Sequence, residues 1–575
     1  MKKIYFFLLL ALCFSTNSKA QYTGYIVQLK DKKGTVHSLS NPSTYLSLKA
    51  IQRRIRQKLT IDSTDLPVSG AYLDSLRLVP NVTIINISKW LNQVLIRTPD
   101  ATAISKINSF PFVKSSGPIG FQTRSIDITP ITNKFNEVIK PMEEKPIVYG
   151  RNGNSGRAET SGISSLNYGN SFNQIHLHEG DYLHDLGFTG AGITIAILDA
   201  GFFGYKTNSA MDSVRLQGRI LGEWDFVKNE LSVTEDHPHG LYCFSIIAAN
   251  KPGQIIGSAP HAKFFLFRTE DAPTEYPIEE QNWVAAAEYA DSAGVDMISS
   301  SLGYSDFDDP AFNHSYAQRN GNTSIITIGA DLAVKKGLIV TNSAGNSGAQ
   351  AGDAKFVACP ADGDSVFTIG ATTVTGTIAS FSSWGPNSAG KTKPNIVSVG
   401  QGTVLANTSG NASAGNGTSF SNPLVCGLIA CLWQAFPEFT NMEIMNAVQK
   451  SSHKYLTPDD RFGYGIPNFR KAHEALTLER EARNIDSLLG NKWLKVYPNP
   501  FKQDFRLVLK APVSGKAVVQ LLDALGRLVD AKSLEINNQT IYFIDFTNVP
   551  KLLKGVYFIR YTDGKNKQTI KMLKQ

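Results

Sequence analysis

Cysteine is scarce in this chain, with five among 575 residues. Cys13 falls in an N-terminal apolar run, which leaves Cys243, Cys359, Cys426 and Cys431; four cysteines allow three pairings, and spacing selects none of them. Cys426 and Cys431 lie five apart on a predicted helix, roughly 140° round its axis from one another, which excludes a bond between those two. Long apolar runs are missing as well. Nothing after Phe14 approaches the ~18 apolar residues of a membrane helix, which excludes stable membrane insertion by that route. Charge is sparse at 18% of residues, and with 42% hydrophobic residues the chain is globular rather than disordered or fibrous. Net positive charge is absent from the middle: residues 21–150 carry +8 and 491–575 carry +9, whereas 151–490 carry −12. The largest block repels phosphates, which excludes nucleic acid as a partner.

What is present divides the chain into parts, as 575 residues require at ~100–200 per domain. Lys2 and Lys3 precede eleven apolar residues, Ile4–Phe14, and then Ser18-Lys19-Ala20, the pattern of an export signal ending near residue 20. From 21 to 118, a strand at Tyr25–Leu29, helical spacing of Leu48, Ile51, Ile55 and Leu59, strands at Val82–Ile87 and Gln93–Ile96, a helix around Ile104 and Ile107, and a strand at Phe112-Val113 spell a ferredoxin-like β-α-β-β-α-β unit. Residues 119–173 read as a flexible linker holding the maturation sites, since fifteen of the twenty-four residues from 150 to 173 are Gly, Asn or Ser. From 174 to 476 the apolar runs Ile193–Leu198, Phe264–Phe267, Val295–Ser300, Leu338–Thr341 and Val366–Ile369 alternate with helical segments, which predicts a parallel sheet with helices on both faces. Thr440 and Glu443 form a capping box before a helix that runs to Lys450. A helical spacer at 477–490 leads to short strands over 491–575, a small all-β sandwich.

Four segments end in residues suited to chemistry. Ile195–Gly201 leaves Asp199 at the C-terminal end of a buried strand, the edge where open α/β sheets gather their ligands. His237-Pro238-His239-Gly240 opens a helix, whose positive end disfavours imidazolium and keeps a general base neutral. Two histidines at that spacing also suit zinc, but no third ligand follows at a sensible distance. Gly415–Pro423 brings Ser419 to a helix N-terminus, where it serves either as an N-cap or as a nucleophile with backbone N–H groups facing an oxyanion. Thr341–Gly348 ends a strand in small residues and presents the amide of Asn346, a donor that adds no charge.

In the order Asp, His, Asn, Ser, these segments resemble the subtilisin-like serine endopeptidases, the subtilases, over about Leu186–Ala475. The resemblance implies that Asp199 orients the imidazole, His239 takes the proton of Ser419, and Asn346 stabilises the tetrahedral oxyanion. Ser301-Leu302-Gly303 resembles the substrate-binding strand, on which an extended peptide adds as a further strand. It implies no cofactor for catalysis; the family often carries structural calcium, for which no ligand set maps onto this chain. The sequence departs from the family where Ala200 follows Asp199, Leu241 follows His239-Gly240, and Phe420-Ser421-Asn422 follow Ser419. The unit at 21–118 resembles the subtilase propeptide, an inhibitor and chaperone, and its charge opposite the −12 block fits that docking.

Residues 491–575 resemble the C-terminal sorting domain of the type IX (Por) secretion system, through Tyr497-Pro498-Asn499-Pro500, Gly526-Arg527, Gly555-Val556-Tyr557-Phe558 and the basic end Lys571–Gln575. That implies export through the periplasm to the outside or the cell surface, with the secretion machinery as a partner. The expected function is a secreted serine endopeptidase acting on protein or peptide substrates, made as a self-processing precursor. The competing reading is a catalytically silent surface adhesin on a protease fold, whose sign would be a lost triad member. An esterase would show a Gly-x-Ser-x-Gly elbow, which Gly417-Thr418-Ser419-Phe420-Ser421 lacks.

Overall fold

Apolar runs without polar alternation are stable as strands only when both faces are covered. In the computed structural model, which describes residues 22–120, 134–135, 137–142, 166–547 and 552–575, every residue of the strands Thr194–Asp199, Met297–Ser300 and Ile339–Ser343 is buried. The export signal and most of the linker lie outside those described residues. These strands are the centre of a nine-stranded sheet, in the order Lys140–Pro141, Ala412–Asn416, Ile396–Ala406, Phe367–Thr373, Ile339–Ser343, Met297–Ser300, Thr194–Asp199, Lys263–Arg268 and Ile220–Asp225. The last seven are parallel; Ala412–Asn416 and Lys140–Pro141 run antiparallel at one edge. Strands that follow Thr194–Asp199 first fill one side of it and then the other. The order therefore reverses there, and the crevice of the sheet opens beyond Asp199.

Two helical layers cover the sheet. His239–Ala248 packs with Thr418–Ala435, in which every residue except Gln434 is buried, and Ile278–Ala293 packs with Ile325–Lys335. The capping box before Asn441–Lys450 forms as the sequence predicts: Thr440 N donates to Glu443 Oε2 at 2.8 Å and Glu443 N to Thr440 Oγ1 at 3.3 Å.

The N-terminal unit is a four-stranded antiparallel sheet in the order Thr83–Ser88, Gln93–Arg97, Gly24–Leu29 and Val113–Pro118, the ferredoxin-like arrangement. One of its helices differs from the sequence reading. Leu48–Arg56 exists, but Leu48 and Ile55 are 70% and 71% exposed, and its buried residues are Ala50, Arg53 and Arg54. The helix that packs on the sheet is Gly70–Arg77, which places Tyr72, Leu73 and Leu76 in the core with Val27, Val94 and Ile107.

Leu48–Arg56 instead docks on the α/β domain, within one compact unit that ends at His473. Arg53 pairs with Asp291 and donates to the Val295 carbonyl, while Arg54 reaches Asp291 Oδ2 at 2.9 Å and Asp65 Oδ1 at 3.0 Å. Leaving one partner of such a buried pair alone costs about 3–5 kcal/mol. The turn after Thr83–Ser88 adds a second contact, where Ser88 Oγ and the amides of Lys89 and Trp90 donate to the Glu288 carboxylate.

The C-terminal unit, from Glu474 onward, is a separate compact body. Its two antiparallel sheets, Leu494–Tyr497/Phe505–Lys510/Ile541–Phe546 and Leu528–Ile536/Gly515–Asp523/Gly555–Thr562/Lys567–Lys574, enclose one core that includes Leu507, Val519, Ile559 and Tyr561. It is the sandwich the sequence predicts. No described helix of the chain is long and apolar enough to cross a membrane.

Candidate active site

Asp199 ends its strand at the crevice, fully buried, with Oδ1 accepting from the Ala200 amide at 2.7 Å and standing 2.6 Å from His239 Nδ1. The approach depends on two glycines. A Cβ on Gly240 would lie 2.4 Å from the Gly201 carbonyl and 3.0 Å from Asp199 Cβ, and Gly201 itself has φ near 137°, a backbone that favours glycine. His239 is the first residue of its helix, two residues earlier than the apolar pattern marks the start. It is nearly buried, between Phe420, 6.0 Å away centroid to centroid, and Phe135, 4.5 Å away.

Ser419 lies in the first turn of Thr418–Ala435, a helix with Gly417 at its N-cap and Pro423 inside it. Pro423 has no N–H to offer the carbonyl four residues back, so Ser419 O accepts elsewhere: from Ser301 Oγ at 2.9 Å and from the Cys243 thiol at 3.3 Å. Those two bonds tie the serine turn to the strand end at Ser300 and to the histidine helix. Asn422, where the sequence departs from the family, donates to the Ser300 carbonyl at 3.0 Å and reinforces the same junction. Asn346 Oδ1 accepts from both the amide and the hydroxyl of Thr418, each at 2.9 Å, which leaves its NH₂ group as the donor facing the cleft. Ser301, Leu302, Gly303, Asn346 and Ser419 line one cavity of about 460 Å³. The sequence-predicted residues are thus brought to one place, and Cys243, Cys359, Cys426 and Cys431 are all buried free thiols.

The resemblance to the subtilase propeptide implies that the C-terminal end of that unit lies across the active site; the residues found there come from beyond 118, in the stretch read as linker. Residues 134–135 and 137–142 of that stretch lie in the cleft. Lys140 and Pro141 pair antiparallel with Ala414 and Ser413, so this stretch is an edge strand of the sheet rather than a spacer. The reason is local: Ala412–Asn416 would otherwise present unpaired backbone groups. Upstream, Glu137 inserts its carboxylate between serine and histidine. Ser419 Oγ donates to Glu137 Oε1 at 3.2 Å, and the same oxygen is 3.6 Å from His239 Nε2, which has no hydrogen-bond partner.

Burial opposes the charge on His239, yet Asp199 and Glu137 on its two sides hold it protonated, well above the usual histidine range. The neutral base expected from the helix dipole is overruled by two carboxylates within contact, a stronger field than a helix end supplies. Burial likewise opposes the Glu137 carboxylate, but His239 and the Ser419 hydroxyl lower its pKa. Lys134 sits in the same cleft among Glu270, Glu275 and Glu279. No periodicity or motif marks residues 134–142; the only legible signal was their position between two folded units.

Residues 190–465 match the subtilase family, residues 24–137 match the peptidase S8 propeptide domain of Bacteroidota, and residues 495–575 match the secretion system C-terminal sorting domain. Subtilisin E of Bacillus subtilis (strain 168) is 28% identical over 293 residues, which are 50% of this chain and 68% of that protein. Serine protease AprX of the same organism is 27% identical over 310 residues, 49% of this chain and 66% of the relative. Alkaline elastase YaB of Bacillus sp. (strain YaB) is 28% identical over 288 residues, 50% and 66% of the two chains.

Proposed function

Because its catalytic segment belongs to the subtilase family and the chain is a subtilisin-like peptidase, we propose that Ser419 is its nucleophile, His239 its general base and Asp199 the group that fixes the base. The observation that carries this reading is the buried 2.6 Å bond between Asp199 and His239 Nδ1, beside a serine in the first turn of a buried helix. Asp199 accepts from Nδ1, so the other nitrogen is the one that takes the serine proton. The Ser419 oxygen then adds to the peptide carbonyl, and the Asn346 NH₂ and the Ser419 backbone N–H stabilise the oxyanion. His239 returns the proton to the leaving amine, and water repeats the sequence on the acyl-enzyme.

The same geometry makes the precursor latent. With Glu137 beside it, His239 is already an imidazolium and Ser419 donates to a carboxylate instead of to a base. Residues 134–142 thus act as the chain's own pseudo-substrate, and activity follows their removal by self-processing. Structural calcium enters no step. Among the described residues, the carboxylate cluster outside the triad holds the Lys134 ammonium. The sorting domain directs the product to the outside or the cell surface, with the secretion machinery as the partner it addresses.

Expression of residues 21–575 beside the Ser419→Ala variant tests the assignment. The wild-type chain should shorten with time and digest casein, while the variant stays full length and inert. If neither chain shortens or cuts casein, even after trypsin and calcium are added, the assignment fails and the adhesin reading replaces it.

A further inference from the structure

The turn after Lys263–Arg268 and the first turn of Ile278–Ala293 bring Glu270, Glu275 and Glu279 together, all buried, with carboxylate oxygens within 4.8 Å of one another. Three carboxylates in a dry pocket repel one another and lose hydration. Burial raises the pKa of each, that of Glu275 to about 8, against the pull of a nearby ammonium. That ammonium is Lys134 Nζ, 2.5, 2.9 and 2.7 Å from Glu270, Glu275 and Glu279, and it also donates to the Thr274 carbonyl at 3.1 Å. Although burial works against its charge, the three carboxylates hold Lys134 well above the ordinary lysine value.

The pocket is built for a cation that the α/β domain does not itself supply. Apart from the Lys134 ammonium, neither oxygen of Glu270 and not Oε1 of Glu275 has a hydrogen-bond partner. Lys134 comes from the segment matched to the propeptide, outside the catalytic match at 190–465. It stands three residues before Glu137, the residue that meets Ser419, and all these side chains except Glu279 line the cavity that holds Ser419. The ammonium thus enters the cleft three residues before the side chain that meets Ser419, as a side chain of a bound peptide would.

We propose that Glu270, Glu275 and Glu279 form a substrate subsite that selects a lysine or arginine side chain three residues N-terminal to the residue at Ser419, with Lys134 filling it in the precursor. The proposal rests on the protease reading and adds its substrate class. Once the N-terminal segment leaves, an uncharged side chain would cover the carboxylates and leave them unpaired, and an acidic one would add a fourth like charge. Among substrate side chains, lysine and arginine carry a full positive charge at neutral pH and can take the place of the Lys134 ammonium.

The test uses processed enzyme purified from the expressed full chain, casein as reporter, and synthetic peptides of residues 130–142 as competitors, with position 134 as Lys, Arg, norleucine or Glu. The Lys and Arg peptides should compete at least ten-fold more tightly than the norleucine peptide, and the Glu peptide more weakly still. In the Glu275→Gln and Glu270→Gln variants the ratio of norleucine to Lys inhibition constants should fall towards one. Because each variant is compared with itself across peptides, a change in its overall activity does not blur the ratio. The wild-type series decides alone if a variant does not fold. Equal inhibition by the Lys and norleucine peptides overturns the subsite, as does calcium binding at the cluster that leaves no lysine preference. Failure of the enzyme to cut casein is the separate failure of the protease reading.

Discussion

At the level of single residues, the site is an arrangement of hydrogen bonds that fixes how each group proposed for catalysis is presented. Thr418 takes Asn346 Oδ1, which fixes which end of the amide donates. The missing N–H of Pro423 frees the Ser419 carbonyl for Ser301 and Cys243, so the nucleophile turn is held by neighbours rather than by its own helix. Replacing Asn346 by Ala should therefore lower kcat by about 10²–10³-fold, the range for loss of one oxyanion donor in the subtilisins, while KM changes little. Steady-state kinetics on a peptide substrate checks this, and a change confined to KM would move Asn346 from the transition state to ground-state binding. Asp199, His239, Asn346 and Ser419 were legible in the sequence because each sits where a strand or helix ends in small residues. Glu137 and Lys134 were not, since a carboxylate and an ammonium in a stretch without periodicity carry no local mark of what they will touch.

At the level of elements, the N-terminal unit meets the α/β domain through one helix, one turn and its sheet, where Asn86 and Gln93 bond Asn282 and Gln281 and Leu95 packs on Ile278. Leu48–Arg56 presents Arg53 and Arg54 to Asp291, and the Ser88–Trp90 turn presents donors to Glu288. The opposite charges counted along the chain are therefore realised as a few buried pairs rather than as a diffuse attraction. Burial pushes the Glu288 carboxyl up to about 7, although Ser88 and Lys89 pull the other way. A carboxyl whose pKa is higher in the docked state takes up a proton on docking. Docking is then strongest below the free carboxyl range near ~4.5, and it weakens as pH rises through about 7. The share of the His239 shift that Glu137 causes acts in the same direction. Release of the N-terminal unit from the processed complex should thus be faster at pH 8 than at pH 5.5. Size-exclusion chromatography after timed incubation measures it, and the reverse order would refute the linkage. The helix Leu48–Arg56 also shows why a periodic pattern misleads: Leu48 and Ile55 are exposed, and Arg53 and Arg54 lie with Ala50 on the buried face.

At the level of the whole molecule, the residues matched to the peptidase and those matched to its propeptide lie in one compact unit, followed by a separate sandwich from Glu474. That independence means the sorting function can be removed without touching the chemistry. Deleting 491–575 should leave a protein that still processes and digests casein, but that a host with type IX secretion retains in its periplasm. Cell fractionation reads the outcome, and unimpaired appearance in the medium would show that the sandwich is no sorting signal.

The sequence by itself determined the parts and most of the side chains that the fold gathers at the candidate site. Unbroken apolar runs, helix-length intervals and turn residues are short-range properties, and they specify a covered parallel sheet, a ferredoxin-like unit and a terminal sandwich. Only the tertiary structure decided what fills the cleft. The contacts of Glu137 with Ser419 and of Lys134 with Glu270, Glu275 and Glu279 join residues more than a hundred positions apart. Their energy comes from burial and mutual charge, which exist only after the sheet has formed and its crevice has closed around them.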